Sequence, residues 1–159
     1  GVDAILISSA FAGAGLISRG HYEEFVLPYE QRIIETVKQH YDIPIYTHTC
    51  GAIGDRLDLM LDTLTDGIDT LDPPPIGTVE LKEAVDQLKG KVFIKGNVDP
   101  VNTLLQGTRK EVREDASHRL KIAMPEGGYI LSSACSVAPH TPPDNINALY
   151  ETVIEEGVY

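Results

Sequence analysis

Short, continuous apolar runs alternate along this chain with longer segments whose apolar residues recur every third or fourth position. The runs are Ala4-Ile5-Leu6-Ile7, Ile43-Pro44-Ile45-Tyr46, Ile68-Asp69-Thr70-Leu71, Val92-Phe93-Ile94 and Tyr129-Ile130-Leu131. Continuity rather than strict alternation marks parallel strands covered on both faces. The segments between them carry the helical period. A first helix is predicted over roughly Tyr22 to His40, with Phe25, Tyr29, Ile33 and Val37 at a spacing of four. A second runs from Asp55 as N-cap, places Leu57, Met60, Leu61 and Leu64 on one stripe, and ends before Gly67. A third starts near Thr78, buries Leu81, Val85 and Leu88, and stops at Gly90. A fourth opens with Thr108-Arg109-Lys110-Glu111, a capping box, and turns Val112, Ala116 and Leu120 inward. The last follows Thr141-Pro142-Pro143, with Thr141 as N-cap and proline in the first turn, and presents Ile146, Leu149, Val153 and Ile154.

The pattern reads as consecutive βα units in one domain spanning residues 1–159, with no linker or low-complexity segment. Strand–helix–strand crossovers are right-handed, so such units wind one way. They form either an open doubly wound sheet or part of a (β/α) barrel of TIM type. A complete barrel needs eight units and about 250 residues, which this chain falls short of. In both architectures, the loops at the carboxyl ends of the strands hold the chemistry.

His48 and Cys50 lie in such a loop, in Thr47-His48-Thr49-Cys50-Gly51, and Cys135 lies in another, in Ser132-Ser133-Ala134-Cys135-Ser136. In an extended chain, residues two apart point to the same side, so His48 and Cys50 can reach one ion. Three such ligands with one position left open match a catalytic zinc site. Two other readings stand beside it: a buried thiol next to a loop histidine, or Cys50 as nucleophile with His48 as its base. Asp72 closes the third strand, as a fourth ligand, a substrate-orienting carboxylate or the start of a turn. In Gly96-Asn97-Val98-Asp99-Pro100, Asn97 offers both a donor and an acceptor to substrate. Asp99 is either a functional carboxylate or the cap of a helix starting at Pro100. His140 stands at the mouth of the last loop. His21, His40 and His118 read as surface residues of helices. Gly13-Ala14-Gly15 lacks the third glycine of a phosphate-binding fingerprint, although the loop from Ala10 to Gly20 is expected to line or cover the site.

Composition narrows the function. A formal net charge of −11 opposes nucleic acid binding, which requires a basic face. No apolar run approaches the ~18 residues needed to span a bilayer, and no signal peptide is evident. A thiol pair in a cytosolic protein is more often metal-binding or catalytic than a disulfide, and a cytoplasmic location is expected. The chain enters a strand directly from Gly1 without an initiator methionine, as expected of a piece of something longer or of a processed chain. Two thiolates would cancel the charge of Zn²⁺, and a sulfur-rich shell suits thiol alkylation better than hydrolysis, which favours histidine and carboxylate ligands.

The segments Thr47-His48-Thr49-Cys50-Gly51, Gly96-Asn97-Val98-Asp99-Pro100 and Ala134-Cys135-Ser136-Val137-Ala138-Pro139-His140-Thr141-Pro142-Pro143-Asp144-Asn145-Ile146 together resemble the uroporphyrinogen decarboxylase superfamily. The resemblance covers essentially the whole chain and is closest to the corrinoid-dependent methylcobamide:thiol methyltransferase branch. It implies a (β/α)8 barrel of about twice this length, of which this chain is the C-terminal half, the N-terminal half being absent. It implies zinc on His48, Cys50 and Cys135, a thiol substrate such as coenzyme M, and a methylated corrinoid carried by a partner corrinoid protein. Asp72 and Asp99 would then be catalytic, and Asn97 and His140 would contact substrate. True uroporphyrinogen decarboxylases use no metal, which keeps a metal-free porphyrinogen-binding enzyme as an alternative, beside a half-barrel that only binds or assembles. Half a barrel exposes apolar edges, so a homo-oligomer or pairing with the missing half is expected.

Overall fold

The computed structural model describes residues 1–158. Five strands, β1 (Ile5–Ser8), β2 (Ile45–Thr49), β3 (Gly67–Thr70), β4 (Phe93–Val98) and β5 (Tyr129–Ser133), form one sheet in the order in which they occur. Every neighbouring pair is parallel. Sequential order decides between the two architectures left open by the sequence. A doubly wound sheet reverses its strand order at a switch point; this one advances in a single direction, as a barrel wall does. The protein is therefore a partial TIM-type barrel, and among its described residues no helix is long and apolar enough to cross a membrane.

The helices are α1 (Arg19–Phe25), α2 (Leu27–Lys38), α3 (Leu57–Asp62), α4 (Leu81–Leu88), α5 (Arg109–Ala123) and α6 (Pro143–Glu156), with a wide π-type turn at Pro100–Leu105. They cover one face of the sheet. There Met60, Ile68, Leu81, Val85, Leu88, Ile94 and Leu120 form the main apolar core. The capping box at Thr108 is formed as expected, with the Thr108 hydroxyl on the Glu111 N–H and the Glu111 carboxylate on the Thr108 N–H.

Five expectations fail at helix ends or on helix faces; one is the α6 stripe, where Asn145, Ala148 and Thr152 are buried whereas Ile146 and Ile154 are exposed. The predicted first helix is two, broken at Val26, because Pro28 has no N–H to continue the ladder and its ring clashes with the carbonyl four residues back. Its stripe is also turned around. Tyr22, Glu30 and Ile34 are buried, whereas Phe25, Tyr29 and Ile33 face solvent. Asp55 does not cap α3. It pairs instead with the Arg56 guanidinium at 2.9 Å, and the helix ends at Asp62 with Leu64 left-handed at φ 67°, leaving Gly67 to open β3. Thr141 does not cap α6: Pro142 takes that position, and the Thr141 hydroxyl is buried without a hydrogen-bond partner among the described residues.

The other face of the sheet is concave. Register places Ser8, His48, Asp69, Lys95 and Ile130 in one row across all five strands. The row below holds Leu6, Tyr46, Gly67 and Phe93. The Phe93 ring lies over Gly67, where a Cβ would have no room, and meets Tyr46 at a centroid distance of 5.6 Å. Side chains alternate along a strand, so these rows point away from the helices into the hollow of the arc.

Candidate metal centre

Cys50 follows β2 directly and Cys135 follows β5 by two residues. These strands are three spacings apart, about 14 Å in a flat sheet. Their sulfurs nevertheless lie 3.5 Å apart, because the sheet curls and both loops turn inward over its carboxyl end. His48 Nε2 lies 3.2 Å from Cys50 Sγ, and one donor atom from each of the three residues falls within 4.8 Å of the others. Both cysteines are free thiols.

The three donors fit a zinc ion closely. With Zn–S bonds of ~2.3 Å, a Zn–N bond of ~2.05 Å and tetrahedral angles, the sulfurs would stand about 3.8 Å apart and nitrogen and sulfur about 3.6 Å apart. The His48–Cys50 and Cys50–Cys135 pairs therefore need to part by only a few tenths of an ångström. Burial, the neighbouring Cys135 thiol and the Asp72 and Asp69 carboxylates push the Cys50 thiol up to about 12. Its surroundings do not ionise it, and a thiol held this high is a poor nucleophile on its own.

A loop from β1 closes one side of the centre. Ser9 N–H donates to the His48 carbonyl at 2.8 Å, and Ala14 N–H donates to the Ala52 carbonyl at 2.7 Å. Between these bonds Gly13 packs against the Cys50 carbonyl so tightly that a Cβ would fall well inside 3.0 Å. The loop is held from behind by Arg56, which is fully buried and donates to the carbonyls of Ala12 at 2.7 Å and Ile17 at 3.2 Å. In front of the cysteines lies a cavity of about 510 Å³, bounded by Phe11, Leu16, Cys50, Asp72, Ile76 and Cys135. Phe11, Leu16 and Ile76 are exposed and give its mouth an apolar rim.

The remaining candidates divide. Asp72 faces this cavity; its carboxylate accepts the Gly51 N–H at 2.6 Å, and burial raises its carboxyl above the usual range in spite of that bond. Asp99 has the capping geometry. One oxygen accepts the N–H groups of Val101 and Asn102 and the other accepts the Asn102 side chain. Burial opposes its ionisation, but these donors hold the carboxyl below its ordinary value. Asn97 is buried; it donates to the Leu71 carbonyl at 2.9 Å, receives Arg119, and lines a separate cavity between α4 and α5. His140 is exposed and lies outside the lining of the cysteine cavity. Two residues absent from the sequence-based set sit against the centre. Asp69 holds His48 Nδ1 at 3.0 Å, and Lys95 holds Asp69 at 2.7 Å. Their one signal in the sequence is a charge interrupting an apolar strand.

Comparison with known proteins bears on this arrangement. The family model described as uroporphyrinogen decarboxylase (URO-D) matches residues 1–156. The methylcobamide:CoM methyltransferase MtbA of Methanosarcina acetivorans is 32% identical over 151 residues, covering 95% of this chain and 41% of its own length. A uroporphyrinogen decarboxylase of Chlorobium limicola is 32% identical over 165 residues, covering 99% of this chain and 43% of its own length. A solved methyltransferase from Methanosarcina mazei superposes with a TM-score of 0.84 at 24% identity, over 99% of this chain and 43% of that one, which is agreement in fold. The chain thus spans about two fifths of the length of these relatives. Because the family match runs through all five βα units and takes in both cysteine-bearing loops, this chain belongs to the uroporphyrinogen decarboxylase family.

Proposed function

We propose that this chain is the metal-binding, thiol-activating part of a methyltransferase that moves a methyl group from a methylated corrinoid to a thiol. The observation that carries the reading is the convergence of His48, Cys50 and Cys135 on one point at the carboxyl end of the sheet. The relatives named methylcobamide:CoM methyltransferase support the choice of donor and acceptor.

Zinc, held by His48, Cys50 and Cys135, would keep a coordinating thiol deprotonated at neutral pH and so nucleophilic. The chain's own residues shape the rest. Cys50 and Cys135 offset the charge of a divalent cation while leaving sulfur electron-rich. Asp72, on the wall of the same cavity, is the carboxylate placed to accept the proton of an entering thiol. Phe11, Leu16 and Ile76 give the mouth an apolar border suited to a large flat co-substrate on a partner corrinoid protein. The exposed stripe of Phe25, Tyr29 and Ile33 at one margin, and that of Ile146, Tyr150 and Ile154 at the other, would be covered by further βα units or by a second copy. The cytoplasm remains the proposed location.

Metal analysis tests the reading. Protein purified without chelator is expected to carry close to one equivalent of zinc, lost in Cys50→Ser and Cys135→Ser. A wild-type content below about a tenth of an equivalent would exclude a three-ligand site of this kind. That result would favour the second reading, a metal-free decarboxylase, which the equal 32% identity to the Chlorobium limicola protein supports. Zinc bound without any methyl transfer from methylcobalamin to thiols, once the covering half is supplied, would favour a binding domain.

A further inference from the structure

We infer that Asp69 and Lys95 are positioning residues that fix which ring nitrogen of His48 is offered to the cysteines. The inference rests on reading the centre as a metal site, and it concerns atoms the chain itself supplies. His48, Asp69 and Lys95 occupy one register row on three adjacent strands, so the backbone ladder sets their spacing. Asp69 is 3% exposed, and both its oxygens are engaged. Oδ2 lies 3.0 Å from His48 Nδ1, while Oδ1 takes the Lys95 ammonium at 2.7 Å and the Thr70 N–H at 2.9 Å.

An ionised carboxylate only accepts hydrogen bonds. The proton between His48 and Asp69 therefore sits on Nδ1, in a charge-assisted bond. In neutral imidazole this leaves Nε2 with a bare lone pair, and Nε2 is the atom 3.2 Å from Cys50 Sγ. In the metal-free chain the Cys50 thiol donates into that lone pair; a cation would take the place of this proton. The opposite tautomer would set a lone pair against the carboxylate and aim an N–H at the cysteines, where a ligand is needed. Lys95 compensates the charge of Asp69 and holds its second oxygen, so the carboxylate cannot rotate away from the ring. A carboxylate behind a ligating histidine is the usual device for setting ring orientation and tautomer.

The test has two readouts. Long-range ¹H–¹⁵N NMR of the metal-free chain is expected to show His48 protonated at Nδ1 and bare at Nε2. Asp69→Ala should abolish that preference and weaken zinc binding, measured by chelator competition, by about 10- to 100-fold. Lys95→Met should weaken it less, and Lys95→Arg should restore wild-type behaviour. A wild-type His48 protonated at Nε2 overturns the inference with no variant needed, as does an Asp69→Ala or Lys95→Met protein that keeps both tautomer and affinity. Should Asp69→Ala not fold, Asp69→Asn and Lys95→Met decide it. If the wild type binds no zinc, the metal reading fails, while the tautomer measurement still judges this inference.

Discussion

Gly13→Ala, set against Gly15→Ala, asks whether the β1 loop positions the candidate metal centre. At Gly15 an added methyl meets nothing within 4 Å, whereas at Gly13 it would meet the Cys50 carbonyl well inside 3.0 Å. The obstacle is backbone, which cannot swing aside. The loop is also stitched on either side, by Ser9 N–H on the His48 carbonyl and Ala14 N–H on the Ala52 carbonyl. Relief therefore requires breaking the bond next to Gly13 or moving Cys50. Losing one such bond costs about 0.5–1.5 kcal/mol, and inserting a methyl into filled space costs about 1–3 kcal/mol. These overlap, so Gly13→Ala is expected to lose about 1–3 kcal/mol in urea unfolding. Gly15→Ala should stay within about 0.5 kcal/mol of wild type or gain slightly from a stiffer unfolded chain. Displacing Cys50 also spoils its placement against His48 and Cys135, so zinc affinity should fall about 10-fold in Gly13→Ala alone. Equal stability and equal affinity of the two variants would refute the idea that the loop braces Cys50.

Glu30 is buried, accepts the Ser9 and Tyr22 hydroxyls, and has its carboxyl raised by burial, with those hydrogen bonds opposing. The folded state then holds this proton more tightly than the unfolded one, so the contribution of Glu30 to stability is fully present below the ordinary glutamate range and is lost as pH rises through the folded value. The slope is at most about 1.4 kcal/mol per pH unit for one proton, and Glu30→Gln should remove it; unfolding midpoints followed from pH 4 to 8 with no difference between the two proteins would contradict this. Arg56→Met orphans the Ala12 and Ile17 carbonyls and should cost about 2–4 kcal/mol while exposing residues 10–17 to protease; a loss below about 1 kcal/mol would mean that the clamp is redundant. The apolar stripes on the two marginal helices predict self-association or a requirement for added βα units, and sedimentation showing a well-folded monomer at micromolar concentration would count against it.

The strands were legible because each begins in an apolar run, although the face turned to the hollow carries Ser8, His48, Asp69 and Lys95 and leaves Leu6 and Ile130 exposed. Strand order was not. A run of βα units is compatible with a flat or a closed sheet, and only pairing in sequence order separates them. Helix faces misled where two apolar sets competed. Phe25, Tyr29 and Ile33 have the better spacing, yet Tyr22 and Ile34 are buried because the break before Pro28 reorients α2, with Glu30 drawn in by Ser9 and Tyr22. Cys50 and Cys135 could be found because they sit just past strand ends; His48, expected in the loop, is instead the fourth residue of β2 and reaches the same point from within the strand. Asp69 and Lys95 could not be assigned, since a charge inside a strand is meaningful only once the hollow side of the sheet is known. Asp99 carried two roles in sequence, and the N–H groups of Val101 and Asn102 give it the capping one.

Pairing each strand with its chain neighbour also has a kinetic corollary. No strand pairing spans more than one βα unit, because each new strand docks beside the one completed just before it. Folding can therefore advance along the arc unit by unit, each step closing a single crossover. The exception is the meeting of His48 and Cys50 with Cys135, which requires β2 and β5 to be in place together, so ligand capture is expected to report the last stage of assembly.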